Sequence, residues 1–290
     1  MSWRTVVVSH SAKLDYQLGH MVIRQREIVR ISIDEIETLI IESTAVSLTV
    51  SLLAELTEKK VKVIFCDAKH NPSSELIPYY SSFDTSAKIK KQIQWDEQTK
   101  SVVWTEIVAD KIKKQAQHLA YRGLPEGEML SKYVTEIEIG DATNREGHAA
   151  KVYFNSLFGK DFTRSGDDSI NAALNYGYSI ILSSFNREIV SKGYLTQLGI
   201  FHDNMFNQFN LACDLMEPFR VLVDRCVYEM NPQKFESDEK KKLYYMLSNT
   251  VKIAGRNEYV SNAIKIYTKS VLDALSDKDV SLIKFYEHEL

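Results

Sequence analysis

Three short segments of the chain combine acids and an imidazole in ways that permit chemistry: Arg145-Glu146-Gly147-His148-Ala149-Ala150, Leu198-Gly199-Ile200-Phe201-His202, and Asp214-Leu215-Met216-Glu217-Pro218-Phe219-Arg220. Glu146 falls on the helical stripe that continues through Ala150, Tyr153 and Leu157. Its carboxylate therefore points inward, which is costly unless a cation or hydrogen-bond donors meet it. Asp214 and Glu217 share one helical face on an otherwise apolar segment, whereas a solvated face would mix both charge signs. Pro218 has no N–H to give to the carbonyl of Asp214, so a bend is expected there. Carboxylate oxygens with one imidazole suit Mg²⁺ or Mn²⁺, the hard cations of phosphoryl transfer, better than zinc. A second histidine, His148, projects about 200° away from Glu146 around the helix and is expected in solvent. The competing reading is structural: Glu146 pairs with an arginine or caps its own helix, and Arg145 and Arg220 hold the acids as internal ion pairs.

The elements that must position these residues follow from periodicity. Strand-forming runs at Thr5-Val6-Val7-Val8, His20-Met21-Val22-Ile23, Glu27-Ile28-Val29-Arg30-Ile31, Thr38-Leu39-Ile40-Ile41 and Val61-Lys62-Val63-Ile64-Phe65 are rich in β-branched residues. Between the last two, Leu48, Leu52, Leu53 and Leu56 predict a helix behind a Ser47 cap. Asn71-Pro72-Ser73-Ser74, Pro78 and Ser81-Ser82 then break both periods. Beyond them the period is about 3.6, with Trp104, Val108, Ile112, Gln115 and Leu119 on one face and Leu174, Tyr178, Ile181 and Phe185 on another. The predicted fold class is α+β: an N-terminal β domain with an embedded helix over residues 1–75, a linker over 76–85, and a larger helical catalytic domain over 86–290.

Bulk properties narrow the function class. The 290 residues can bury a core without staples. Cys66, Cys213 and Cys226 are too scattered for a disulfide framework or a zinc knuckle. No run approaches the roughly 18 apolar residues of a membrane span, and the start has no signal-peptide pattern, so a cytoplasmic protein without membrane partners is expected. A net charge of −3 argues against a protein that coats nucleic acid, so DNA contact must be a local patch. Phosphate-loop, dinucleotide-binding and serine-hydrolase motifs are absent, and no organic cofactor is expected.

The chain resembles the CRISPR-associated integrases that insert new spacers during adaptation. The resemblance rests on Arg145 to Phe154, on Asn171-Ala172-Ala173-Leu174-Asn175-Tyr176-Gly177-Tyr178, on Leu198 to His202 and on Asp214 to Asp224. It extends more weakly to Ile33-Asp34-Glu35-Ile36-Glu37-Thr38-Leu39-Ile40-Ile41 and Val63-Ile64-Phe65-Cys66-Asp67. It implies that Glu146, His202 and Glu217 ligate a divalent Mg²⁺ or Mn²⁺ and that Asp214 is an auxiliary catalytic acid. Many relatives carry aspartate where this chain has Glu217. It also implies joining of 3′-hydroxyl DNA ends to the CRISPR repeat, a homodimer through the β domains, a small ferredoxin-like adaptation partner, and the type II arrangement with its further CRISPR proteins. Arg145, Arg164, Arg220 and Arg225 are candidate DNA contacts. Lys111, Lys113 and Lys114 read instead as a solvated face, and Tyr153, Tyr176 and Tyr178 as core. The alternatives are a structure-selective metal-dependent endonuclease and a non-catalytic DNA-binding scaffold.

Overall fold

β-Branched runs build the N-terminal unit. Its elements are β1 (Arg4–Val8), β2 (Ala12–Gln17), β3 (His20–Arg24), β4 (Ile28–Ser32), β5 (Ile36–Ile41), β6 (Val46–Leu48), α1 (Val50–Glu58), β7 (Lys62–Cys66) and β8 (Pro72–Glu75). The computed structural model describes residues 4–78 and 82–287, and the chain divides into two units, Met1–Ser81 and Ser82–Leu290.

In the first unit one sheet has the order β1-β5-β7-β8, parallel except for β8, and a second has the order β4-β3-β2-β6. Leu14 and Met21 from one sheet meet Leu39 and Val63 from the other, with Leu52 and Leu56 of α1 in the same core. Two details differ from expectation. The helix cap is Thr49, whose hydroxyl accepts the Leu52 N–H at 3.4 Å, because Ser47 and Leu48, expected as cap and first helical leucine, are committed to strand β6 beside Lys13 and Leu14. Part of the turn-rich stretch, Pro72–Glu75, continues the sheet as β8. Ser81 lies outside the described residues.

The second unit is mostly helical. It comprises α2 (Thr85–Ile93), α3 (Glu97–Tyr121), α4 (Glu126–Thr135), α5 (Arg145–Phe158), α6 (Ser169–Ser191), α7 (Asn210–Met216), α8 (Arg220–Met230), α9 (Ser237–Tyr245) and α10 (Val260–Asp277). A small sheet of β9 (Thr250–Ile253), β10 (Arg256–Tyr259) and β11 (Tyr286–Glu287) accompanies them in the order β10-β9-β11. The longest helix, α3, starts where Asp96 accepts the Thr99 N–H at 2.9 Å. Its predicted face is buried: Trp104, Val108, Ile112, Gln115 and Leu119 are all at most 2% exposed. The α6 face of Leu174, Ile181 and Phe185 is fully buried, and Tyr178 is 8% exposed. Gly177 of α6 lies against α8 so closely that an added Cβ would fall 2.5 Å from Val223 Cγ1. No helix of the described residues is long and apolar enough to cross a membrane.

Candidate active site

Glu146 sits in the first turn of α5, where other groups satisfy the free amides. Asp141 accepts the Arg145 N–H at 2.7 Å and the Glu146 N–H at 3.1 Å. Asn144, in the left-handed region at φ 53°, caps Gly147. The Glu146 carboxylate is therefore not needed as a cap, and it instead accepts from Lys111 Nζ at 2.5 Å. The stripe beneath it is Ala149, Tyr153 and Leu157. Ala150 is half-buried beside that stripe, and His148 is exposed.

Glu217 lies where the helix changes pitch. α7 ends at Met216, Glu217–Phe219 form a 3₁₀ turn, and α8 begins at Arg220. Pro218 forces this break, and the Asp214 carbonyl recovers a partner by taking the Glu217 N–H in the tightened turn. The turn separates the two acids that share a face in a regular helix. Glu217, 2% exposed, accepts from the same Lys111 Nζ and lies 2.9 Å from Arg220 Nε. Burial pushes the Glu217 carboxyl up, but the Arg220 and Lys111 charges outweigh it and hold it below the usual range.

Asp214 is fully buried and faces residues 199–202. Its Oδ2 accepts the N–H groups of Ile200 (2.6 Å) and Phe201 (3.1 Å). Its Oδ1 accepts the His202 N–H (3.0 Å) and meets His202 Nδ1 at 2.5 Å. Gly199 is required by that approach, since a Cβ there would stand 2.3 Å from the His202 carbonyl and 2.8 Å from Asp214 Oδ2. The hydrogen bond to Asp214, set against burial, raises the His202 pKa, with Glu217 and Glu146 adding to it. With Nδ1 engaged by Asp214, Nε2 is the ring nitrogen that would be available to a cation, since a carboxylate on one ring nitrogen fixes the imidazole for use of the other. The His202 side chain is 38% exposed and gives the site an opening. Phe201 beside it stacks on Trp104 at 4.5 Å.

Lys111 and Lys114 are not solvated: both are 6% exposed. Lys111 follows Trp104 and Val108 at seven and three residues, which puts it on their buried face rather than opposite it. Lys114 pairs with Asp110 and lies 4.1 Å from the Tyr286 ring. Burial pushes that lysine's pKa down and raises that of Asp110. A further buried acid, Asp224, accepts from Tyr178. Burial pushes its pKa up to about 6, against the opposing pull of Tyr178, Arg220, Lys111 and Arg164. Asp224 follows Glu217 by seven residues, a spacing that marks it as inward-facing.

The candidate DNA contacts are spread over the unit. Arg145 pairs with Glu136 at 3.0 Å and lies over Tyr133. Arg220 lies 4.8 Å from the Tyr178 ring. Arg225 lies 5.6 Å from the Tyr121 ring. Arg164 bonds Asn175 at 2.7 Å, also meets Asn171, and lies over Tyr178. Tyr153, Tyr176 and Tyr178 are buried, as core residues should be.

Among the described residues no three His, Cys, Asp or Glu side chains close around one point as a cation cage. Two carboxylate oxygens from different helices do converge, on the ammonium of Lys111. That donor set fits a divalent cation: hard oxygens drawn to one positive centre, with an oriented imidazole in their field.

This α+β arrangement is shared with solved structures. A casposase bound to integration product superposes with a TM-score of 0.78 at 19% identity, covering 96% of this chain and 91% of that one. A Cas1 protein from Thermotoga maritima gives 0.76 at 16% identity, covering 94% and 97%. A protein of a Cas6-RT-Cas1–Cas2 complex gives 0.75 at 19% identity, where this chain spans 36% of the longer one. The family model for "CRISPR associated protein Cas1" matches residues 5–254, and the chain belongs to that family. The "CRISPR-associated endonuclease Cas1" of Neisseria meningitidis serogroup C is 31% identical over 294 residues, covering 99% of this chain and 97% of the relative. A Francisella tularensis relative of the same description is 23% identical, covering 92% and 91%.

Proposed function

We propose that this chain is a metal-dependent DNA integrase of CRISPR adaptation, joining 3′-hydroxyl ends of foreign DNA fragments to the CRISPR repeat by transesterification. The observation that carries the reading is the meeting of Glu146 and Glu217, from separate helices, at one cationic point beside His202.

Glu146, Glu217 and His202 Nε2 would hold Mg²⁺ or Mn²⁺, which supplies Lewis acidity at a phosphoryl oxygen and offsets charge on the attacking oxygen. Asp214 fixes the His202 ring and the backbone of residues 200–202. Arg220 neutralises the remaining Glu217 oxygen. In the reaction a fragment's 3′ oxygen bonds to a repeat phosphorus, the bond from that phosphorus to the repeat's 3′ oxygen breaks, and a proton passes from the attacking hydroxyl to the leaving one. One phosphodiester replaces another, so no nucleotide is consumed. The N-terminal β unit would form the homodimer, and a small ferredoxin-like partner would bridge two dimers. The description of one structural neighbour as part of a complex with Cas2 supports a complex with another adaptation protein.

The names of the relatives favour a second reading, endonuclease action with water as nucleophile. Fragments with free or dideoxy-terminated 3′ ends, incubated with the chain, its partner and a repeat-bearing plasmid, separate the two. Integration requires the free hydroxyl, and plasmid cleavage at an equal rate with blocked ends would favour the nuclease.

A further inference from the structure

We propose that Lys111 is the metal site's own placeholder: its ammonium sits between Glu146 and Glu217 in the metal-free protein, holds the two carboxylates together, and must be displaced for a divalent cation to enter. The inference rests on the cation reading of this site given above.

Lys111 is 6% exposed and bonds an oxygen of each acid, Glu146 Oε1 and Glu217 Oε2. Two ionised carboxylates brought to one largely buried point repel strongly, because the repulsion is weakly screened there, unless a cation or a shared proton lies between them, and here the ammonium of Lys111 does. A divalent ion at the point where these two oxygens converge would take the place that the ammonium holds. The charge count leads to the same conclusion. Glu146 and Glu217 are already balanced by Lys111 and Arg220, so a divalent ion added without moving Lys111 would leave two surplus positive charges. Lys111 has the flexible four-carbon stem and single compact charge that such a release needs, while Arg220 keeps its own place on Glu217. The released ammonium would then be free to meet a DNA phosphate, coupling metal binding to DNA binding.

The test is Mn²⁺ titration without DNA, read by electron paramagnetic resonance of the free ion, on the wild type, Lys111→Gln and Glu217→Ala. Lys111→Gln should bind Mn²⁺ about tenfold more tightly than the wild type, because the ion no longer competes with the lysine. Glu217→Ala should bind it more weakly. Equal affinity of wild type and Lys111→Gln, with Glu217→Ala still weakened, overturns the placeholder and leaves the cation site standing. No Glu217-dependent binding by either overturns both. Since Lys111→Gln could fold only with metal present, amine labelling of the wild type provides an independent reading. Lys111 should be protected in chelator and label several-fold faster with saturating Mn²⁺, while exposed Lys113 is unchanged. Equal labelling of Lys111 in both conditions contradicts its displacement.

Discussion

The two units arrange their buried charge differently. In the N-terminal unit the core is aliphatic, built on Leu14, Met21, Leu39, Leu52 and Val63. Its ion pairs Arg4–Glu35, Arg24–Asp15 and Lys59–Asp34 keep at least one partner well exposed, and the charged residues it buries among those described are Glu42 and Lys62. The helical unit buries Lys111, Lys114, Asp214, Glu217 and Asp224 to 6% exposure or less. Buried ion pairs seldom stabilise more than the apolar residues they replace. Lys111 between Glu146 and Glu217 gathers such charges at one point, an arrangement that gives up stability for position and that the proposed chemistry would use.

That contrast can be broken by substitution, and the largest effect should fall on the charged side. Glu217→Ala, and equally Glu146→Ala or His202→Ala, should lower strand transfer by about a thousandfold or more while DNA binding persists. Joining assays beside gel-shift titrations read both, and normal joining by any variant removes that residue from the site. On the aliphatic side, Leu39→Ala should destabilise the first unit by about 2–5 kcal/mol in denaturant melts, with little change in the chemical step per folded molecule.

A titration sharpens the same contrast. The folded pKa of Asp224, about 6, lies above its unfolded value. The protonated acid therefore contributes stability that is fully present below about pH 4 and is lost as pH rises through about 6. The full loss is of order 3 kcal/mol. Asp224→Asn keeps an acceptor for Tyr178 and should be more stable than the wild type at neutral pH, with the difference vanishing near pH 4. Urea melts at both pH values test it, and an unchanged gap means that the carboxyl is not held protonated by the fold. The smallest effect belongs to the surface: Arg145→Ala should weaken DNA binding a few-fold regardless of sequence and lower the salt slope by about 1, as filter binding at several salt concentrations would show.

Much of this was legible in the sequence, for identifiable reasons. The faces of α3 and α6 were readable because large apolar side chains recur at helical spacing. The runs behind β1, β3, β4, β5 and β7 were readable because β-branched residues cluster there. β2 escaped because Lys13 and Asp15 interrupt its apolar residues, and because its turn into β3 uses Leu18-Gly19, both at positive φ, rather than an Asn-Gly pair. The segments bearing Glu146, His202, Asp214 and Glu217 stood out by residue type. Their division of labour did not, since only the 3₁₀ turn at Pro218 sends Glu217 to Lys111 and leaves Asp214 to His202. Lys111 was misread because charge suggested solvent where spacing indicated the core.

The central question is whether a divalent cation held by these side chains touches the phosphate that reacts. The measurement is strand transfer by the wild type into a repeat whose scissile phosphate carries sulfur in place of a non-bridging oxygen, compared in Mg²⁺ and in Mn²⁺. Magnesium ligates sulfur poorly and manganese tolerates it better, so the rate should fall sharply in Mg²⁺ and recover in Mn²⁺. A sulfur effect of the same size in both ions would contradict metal contact at the reacting phosphate.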